Sequence, residues 1–274
     1  MVSVSVRVAL ALGALQGVLE WLPVSSEGNV ALVLTVLFGF SAVDAVGLSL
    51  FLHAGTALAA GVYYRGTLAD LLRSVPDWRP RTAFDDRNAE LSFLAVGTLV
   101  SGVVGVGAYA TLDSLVSALT GGGFVAVIGA LLVASGLFQR LVGADALGRR
   151  TEPGPLDAVL VGVLQGIAVL PGVSRSGATT GGLLLRGHDG GEAFRLSFLL
   201  SIPAALGAGG LAVVEAGGPP SLAPVPALAA LGASALVGLA TIDALLRVVE
   251  RLPFWAVCVG LGGVALLGAG LLLP

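Results

Sequence analysis

One arginine constrains this chain more than any other residue. It lies in Leu170-Pro171-Gly172-Val173-Ser174-Arg175-Ser176-Gly177-Ala178-Thr179, with about a dozen mostly apolar residues on either side. A guanidinium at bilayer depth costs roughly 2.5–3.5 kcal/mol even on the lenient insertion scale, so a fold must give it an anion, a wet cavity or both. The surrounding stretch, 157–186, has arginines at both of its ends (Arg149 and Arg150 before, Arg186 after) and Pro171-Gly172 at its centre. Arginine-rich connections stay on the cytoplasmic side. A single apolar segment that begins and ends on that side, with a break in the middle, enters and returns as a re-entrant hairpin.

The membrane reading rests on the rest of the chain. Apolar stretches recur near 92–110, 123–138, 196–213, 225–246 and 253–273, in a sequence that is 56% hydrophobic, 11% charged and has a mean hydropathy of +0.97. Each approaches or reaches the roughly 20 residues that cross a bilayer core, which excludes a soluble globular domain. The predicted class is an all-α polytopic membrane protein with about six full transmembrane helices, forming one integral membrane domain over 1–274. All fourteen basic residues are arginine, and the net charge of −3 says little about partners, with no nucleic acid expected. Cys258 has no second cysteine to pair with. Arg7 before an apolar run resembles the start of a signal peptide, but Gln16 and Glu20 interrupt that run, and the segment is expected to be part of the mature protein.

Arginines mark the connections around 65–87, 140–150, 186–195 and 247–251, whereas those around Asp44, around Asp113 and through Glu215-Ala216-Gly217-Gly218-Pro219-Pro220 have none. Placing the first set inside and the second outside makes 8–38 a second hairpin, broken at Pro23 to Gly28 and entering from the opposite face. Non-helical backbone at membrane depth survives only when buried in protein or lining a wet cavity. Two such breaks imply a shared polar pocket.

An internal repeat points the same way. A shift of 149 pairs Gln16-Gly17 with Gln165-Gly166, Val24-Ser25 with Val173-Ser174, and Gly28 with Gly177; a shift of 148 then pairs Leu48-Ser49 with Leu196-Ser197 and Ala60-Gly61 with Ala208-Gly209. The copies run over about 1–140 and 157–274, and their opposite entry sides make the repeat inverted. In such architectures the site lies near the midplane, where half-helix N-termini face anionic groups.

Two polar clusters define that site. In Gln16-x-x-x-Glu20 the spacing of four puts both side chains on one helical face. The break that follows, Pro23-Val24-Ser25-Ser26-Glu27-Gly28-Asn29, supplies hydroxyls, free amides and a second carboxylate. Gln16 and Glu20 are expected to hold a divalent cation, Mg2+ or Ca2+, since the donors are all oxygen, or Glu20 is a general base. In the second cluster, Arg175 with Ser174, Ser176, Gly177 and Thr179 has the chemistry of a phosphate clamp. Together they read as pyrophosphate recognition within a membrane. Among single residues, Glu27 is divided between the pocket and its solvated mouth, His53 reads as a packing histidine more than a catalyst, and His188 has no role.

At these clusters the chain resembles the undecaprenyl-pyrophosphate phosphatase family, the bacitracin-resistance membrane phosphatases. The likeness lies in the (E/Q)xxxE motif at Gln16 to Glu20, Pro23-Val24-Ser25-Ser26, the PGxSRSxxT motif from Pro171 to Thr179, His53-Ala54-Gly55-Thr56 and Ser197 to Ala204. The resemblance implies a multi-pass plasma-membrane hydrolase that removes the terminal phosphate of a polyprenyl pyrophosphate, recycling the lipid carrier for cell-envelope glycan synthesis. It further implies a divalent-metal requirement, two re-entrant hairpins and a pocket open to the external face; a homodimer is compatible with it. Carried onto this sequence, the resemblance makes Gln16 and Glu20 the metal or acid/base pair, Ser26 the nucleophile or phosphate ligand, and Arg175 with Ser174, Ser176 and Thr179 the pyrophosphate clamp; Ser25, Asn29 and Gly177 are further expected contacts to substrate, and Glu27 is expected in the catalytic group.

One position departs from the pattern. The family commonly reads Ser-Ser-Thr-Gly-His where this chain has Ser25-Ser26-Glu27-Gly28-Asn29, and asparagine exchanges no proton near neutral pH. Proton transfer by Glu20 or Glu27 on a metal-bound water is favoured; His53 as substitute, or loss of catalysis, are the alternatives. From another class, a polyprenyl-phosphate flippase or other anion carrier is the rival reading, since inverted repeats suit alternating access as well.

Overall fold

The computed structural model describes residues 5–85, 87–118, 121–143, 149–218, 222–249 and 253–272. Arg251 and part of the 215–220 connection, both used above to orient the chain, lie outside these residues. Those described form eleven α-helices, two short 3-10 turns and one isolated bridge between Arg150 and His188.

The first two helices, α1 (Val6–Leu19) and α2 (Ser26–Phe38), have 14 and 13 residues. At 1.5 Å per residue each reaches about 20 Å, short of the roughly 30 Å of a bilayer core. They form the expected first hairpin. The next is α3 (Ala42–Tyr63), capped by Ser41, whose hydroxyl accepts from the Asp44 amide at 3.1 Å. It is one of five helices long and apolar enough to cross a membrane, yet it is absent from the apolar stretches read off the sequence. Ser49, His53 and Thr56 dilute its hydropathy because they turn inward, Ser49 and Thr56 being fully buried.

After α4 (Arg65–Ser74), a short helix with no buried residue, come α5 (Arg87–Ala118) and α6 (Gly121–Gly143). The second hairpin is α7 (Pro155–Ile167) and α8 (Arg175–Leu185), again 13 and 11 residues. The chain closes with α9 (Gly190–Ala216), α10 (Pro224–Val249) and α11 (Phe254–Leu272). The other four spans are in α5, α6, α9 and α10; α11, with 19 apolar-rich residues, adds about 28 Å.

The strongest contacts pair α1 with α10, α7 with α5, α3 with α9, and α6 with α11. The repeated Gln-Gly dipeptide explains the first two. A Cβ on Gly17 would lie 2.8 Å from the Ser234 carbonyl oxygen of α10, and one on Gly166 would lie 2.6 Å from Val104 Cβ of α5. Only glycine lets either half-helix sit this close to its long neighbour.

The open end of the second hairpin is locked by ions. Asp157, in the first turn of α7, has a fully buried side chain that takes Arg150 at 2.9 Å, Arg186 at 2.7 Å, His188 at 3.2 Å and the Gly154 amide at 2.7 Å. Arg186 and His188 follow α8, so this carboxylate ties the hairpin's two ends together. His188, given no role by the sequence, is wholly buried here.

Candidate active site

Both breaks meet in the interior. In the first, α1 stops at Leu19 and Ser25 caps α2, its hydroxyl accepting from the Gly28 amide at 3.3 Å. In the second, Ser174 caps α8 in the same way, accepting from Gly177 at 3.2 Å. The Ser25 hydroxyl also accepts from the Gly172 amide at 3.1 Å, joining one break to the other. To do so Ser25 takes a left-handed conformation (φ 59°), alone among the described non-glycine residues. Strain of this kind persists where the surroundings over-determine it, commonly at functional sites.

Glu20 is the hub. One carboxylate oxygen accepts from Gln16 Nε2 and from Ser26 Oγ, both at 2.8 Å, with His53 Nε2 3.3 Å away. The other takes the Arg175 guanidinium through Nη2. The remaining terminal nitrogen of Arg175, Nη1, is buried and has no partner. The guanidinium also lies over the Phe198 ring, 5.7 Å from its centroid. A cation in this position is paired with Glu20 through one nitrogen and keeps a donor for one further anion.

His53 belongs to this site, contrary to its reading as a packing residue. Its Nδ1 is 2.7 Å from the Ser49 carbonyl oxygen, which can only accept, so Nδ1 carries a proton and Nε2 is turned to Glu20. Glu27 is no residue of a solvated mouth: it is 6% exposed, and its Oε1 is buried without a partner.

Glu20, Ser25, Ser26, Glu27, His53, Ser174, Arg175 and Ser176 line a polar recess of about 20 Å³, room for about one water molecule. Glu27, His53 and Arg175 also face a second, far larger cavity of about 420 Å³ between α3, α5, α7 and α9. Its walls are mostly apolar, with Gly102, Gly105, Val106, Pro203, Ala204 and Leu211 among them. A small charged recess thus opens on a roomy apolar chamber.

Other expected site residues sit behind this lining. Asn29 donates through Nδ2 to the carbonyls of Val24 at 2.6 Å and Ser25 at 2.9 Å, holding the irregular backbone of the break. Thr179 is spent on the Arg175 carbonyl at 2.8 Å and on Ser197 at 2.6 Å. Gly177 leaves space for Gln139, whose Nε2 would be 2.7 Å from an added Cβ. Gln16 reaches the site only through Glu20.

A scan against family models matches residues 9–264 to "Bacitracin resistance protein BacA". The chain belongs to this family. Curated relatives named undecaprenyl-diphosphatase include one from Haloarcula marismortui, 54% identical over 96% of this chain and 97% of its own, and one from Methanococcoides burtonii, 40% identical over 96% and 98%. A third, from Methanopyrus kandleri, is 41% identical over 94% of each chain. The BacA match spans both hairpins and all the long helices, as the distributed motifs implied.

Within this BacA framework, sequence reading missed the groups that brace the two breaks. The Pro23 carbonyl accepts from Gln139 Nε2 at 2.8 Å and from the Cys258 thiol at 3.1 Å. Ser135 donates to the Gly172 carbonyl at 3.1 Å and accepts from the Ser174 amide at 3.2 Å. The only signal for them was a polar residue in an otherwise apolar helix.

Proposed function

We propose that the protein hydrolyses undecaprenyl pyrophosphate, or a polyprenyl pyrophosphate like it, to the monophosphate and inorganic phosphate. The observation that carries this is Arg175: a half-buried guanidinium whose Nη1 is buried and unpartnered, at the meeting of a polar recess and a large apolar cavity. That is the lining needed by a molecule with an anionic head and a long hydrocarbon tail. The relatives carry the name of a hydrolase, which favours hydrolysis over the carrier alternative.

Ser26 is the proposed nucleophile. Its hydroxyl already donates to Glu20 at 2.8 Å, so the proton passes to that carboxylate as Oγ attacks the terminal phosphorus. The bond from phosphorus to the bridging oxygen breaks, and the polyprenyl monophosphate leaves with the electron pair. Protonated Glu20 loosens its hold on Arg175, which is then free to bind the charge gathering on the leaving phosphate. Glu20 then gives its proton to the departing monophosphate oxygen; water attacks the phosphoserine with the restored Glu20 carboxylate as proton acceptor, the bond from phosphorus to Ser26 Oγ breaks, the proton returns to Oγ, and inorganic phosphate departs. Asn29 is not required for either proton transfer. His53 keeps Glu20 in place.

A divalent cation, Mg2+ or Ca2+, is part of the proposal and would neutralise charge on the pyrophosphate when bound. Of the pair expected to hold it, Glu20 has both oxygens engaged by donors, while Gln16 Oε1 is buried and unpartnered. The fit to a cation is therefore poor at Glu20. Residence in the plasma membrane with the recess open to the external face, and the inverted sense of the repeat, complete the reading.

Phosphate release from undecaprenyl pyrophosphate by the purified, detergent-solubilised protein, with magnesium, with calcium and with chelator, tests it. Release abolished in Arg175→Ala is the expected result. No release from folded wild-type protein under any of these conditions would reject the function.

A further inference from the structure

We infer that Glu27, rather than Gln16 and Glu20, is the protein's ligand for a divalent cation that enters with the pyrophosphate; this rests on the function proposed above. The recess holds one guanidinium and two carboxylates. Glu20 is neutralised by Arg175, but among the described residues no basic side chain is paired with Glu27, and its Oε1 is buried with no hydrogen-bond donor. A carboxylate removed from water and left unpaired is costly, so a buried oxygen of this kind is a ligand position waiting for its partner. Glu27 also lines both the recess and the large cavity, which puts it where head and tail of the lipid join.

The chemistry of the ion fits so spare a site. Among the described residues no group of three or more His, Cys, Asp or Glu is placed to hold a metal. Magnesium needs no such cage: it keeps several waters and is held by one or two carboxylates together with substrate phosphates. A pyrophosphate approaching the recess meets an unpartnered carboxyl oxygen at Glu27. A divalent ion shared between the two neutralises part of the phosphate charge and leaves Arg175 for the rest.

The test is binding of Mn2+, an oxygen-loving stand-in, followed as the Mn2+ retained with the protein on ultrafiltration, against a protein-free control at the same diphosphonate concentration. The solubilised wild-type protein is compared with Glu27→Gln and Glu27→Asp, each with and without methylenediphosphonate, a pyrophosphate group that cannot be hydrolysed. We expect tight Mn2+ uptake by wild type only when diphosphonate is present, weakening by about tenfold or more in Glu27→Gln and partly regained in Glu27→Asp. Equal uptake by wild type and Glu27→Gln would overturn the inference. So would wild-type binding of diphosphonate that is the same with and without the cation, a result that needs no variant to fold. Phosphate release from undecaprenyl pyrophosphate is measured on the same wild-type preparation. Release together with unchanged Mn2+ uptake in Glu27→Gln removes the role of Glu27 and keeps the hydrolase; absent release removes the hydrolase instead.

Discussion

The two hairpins share a frame and differ in what they mount on it. Ser25 and Ser174 cap their second half-helices with the same hydroxyl-to-amide bond three residues on, and Gly28 and Gly177 follow at matching places. The next position in each is the first helical residue, facing the recess: Ser26 in one, Arg175 in the other. The first hairpin also brings Glu20 and Glu27; the second brings no carboxylate to the recess. The same capping bond thus sets two half-helix N-termini at one recess, although Ser25 is left-handed (φ 59°) and Ser174 is not (φ −72°), and differences at single positions give one half carboxylates and the other a cation. Each is incomplete alone.

Removing the cation of the second hairpin breaks this division of labour most severely. Arg175→Ala deletes the anion donor and strands Glu20, so turnover should fall by about 10³-fold or more while the protein still inserts in the membrane; near wild-type phosphate release would dismiss the clamp. Ser26→Ala removes the reacting oxygen from the first hairpin but leaves Glu20 paired. We expect a loss of about 10²- to 10³-fold with little change in melting temperature, and no burst of phosphoenzyme on rapid quenching.

The glycines sharpen the comparison at a lower energy. A Cβ at Gly28 would stand 2.6 Å from the backbone nitrogen of Gly172, whereas at Gly177 it meets the movable end of Gln139. Gly28→Ala should therefore destabilise by about 1–3 kcal/mol and Gly177→Ala by clearly less, read from thermal unfolding in detergent. Equal effects would show that the second break is as rigid as the first.

The smallest effect concerns the hairpins' open ends, where only the second has a buried carboxylate. Burial alone would raise the pKa of Asp157, but the Gly154 amide, Arg186, His188 and Arg150 outweigh it and hold the group below the usual carboxylate value. A depressed folded-state pKa contributes stability above the unfolded value, about 3.9, that is lost as pH falls through the folded one. Wild type should lose melting temperature on acidification below about pH 4, and Asp157→Asn should lack that component.

Much of this architecture was legible because its signals are local. Pro23, Pro171-Gly172 and the arginines at both ends of 157–186 give the breaks and the returning path, and Arg175 is conspicuous wherever it is placed in an apolar run. What stayed hidden depends on distant partners. His53 is three and four residues from Thr56 and Ser49 on a plausible packing face, and only the arrival of α1 puts Glu20 against it. Gln139 and Cys258 meet Pro23 across 116 and 235 residues, with no spacing rule to announce them. Asn29 and Thr179 were read as substrate contacts because they stand in the right motifs; they are short polar side chains that found a nearby carbonyl instead.

The bond from Cys258 to the Pro23 carbonyl has a consequence for biosynthesis. Pro23 is made 235 residues before Cys258, which lies in a helix packed along α6 through Gly129, Gly136 and Gly262. A nascent chain that has released both hairpins already carries Glu20, Ser26 and Arg175, but the carbonyl at the centre of its first break still lacks one of its two donors. The first break is therefore fully braced only when this late helix slots into the bundle.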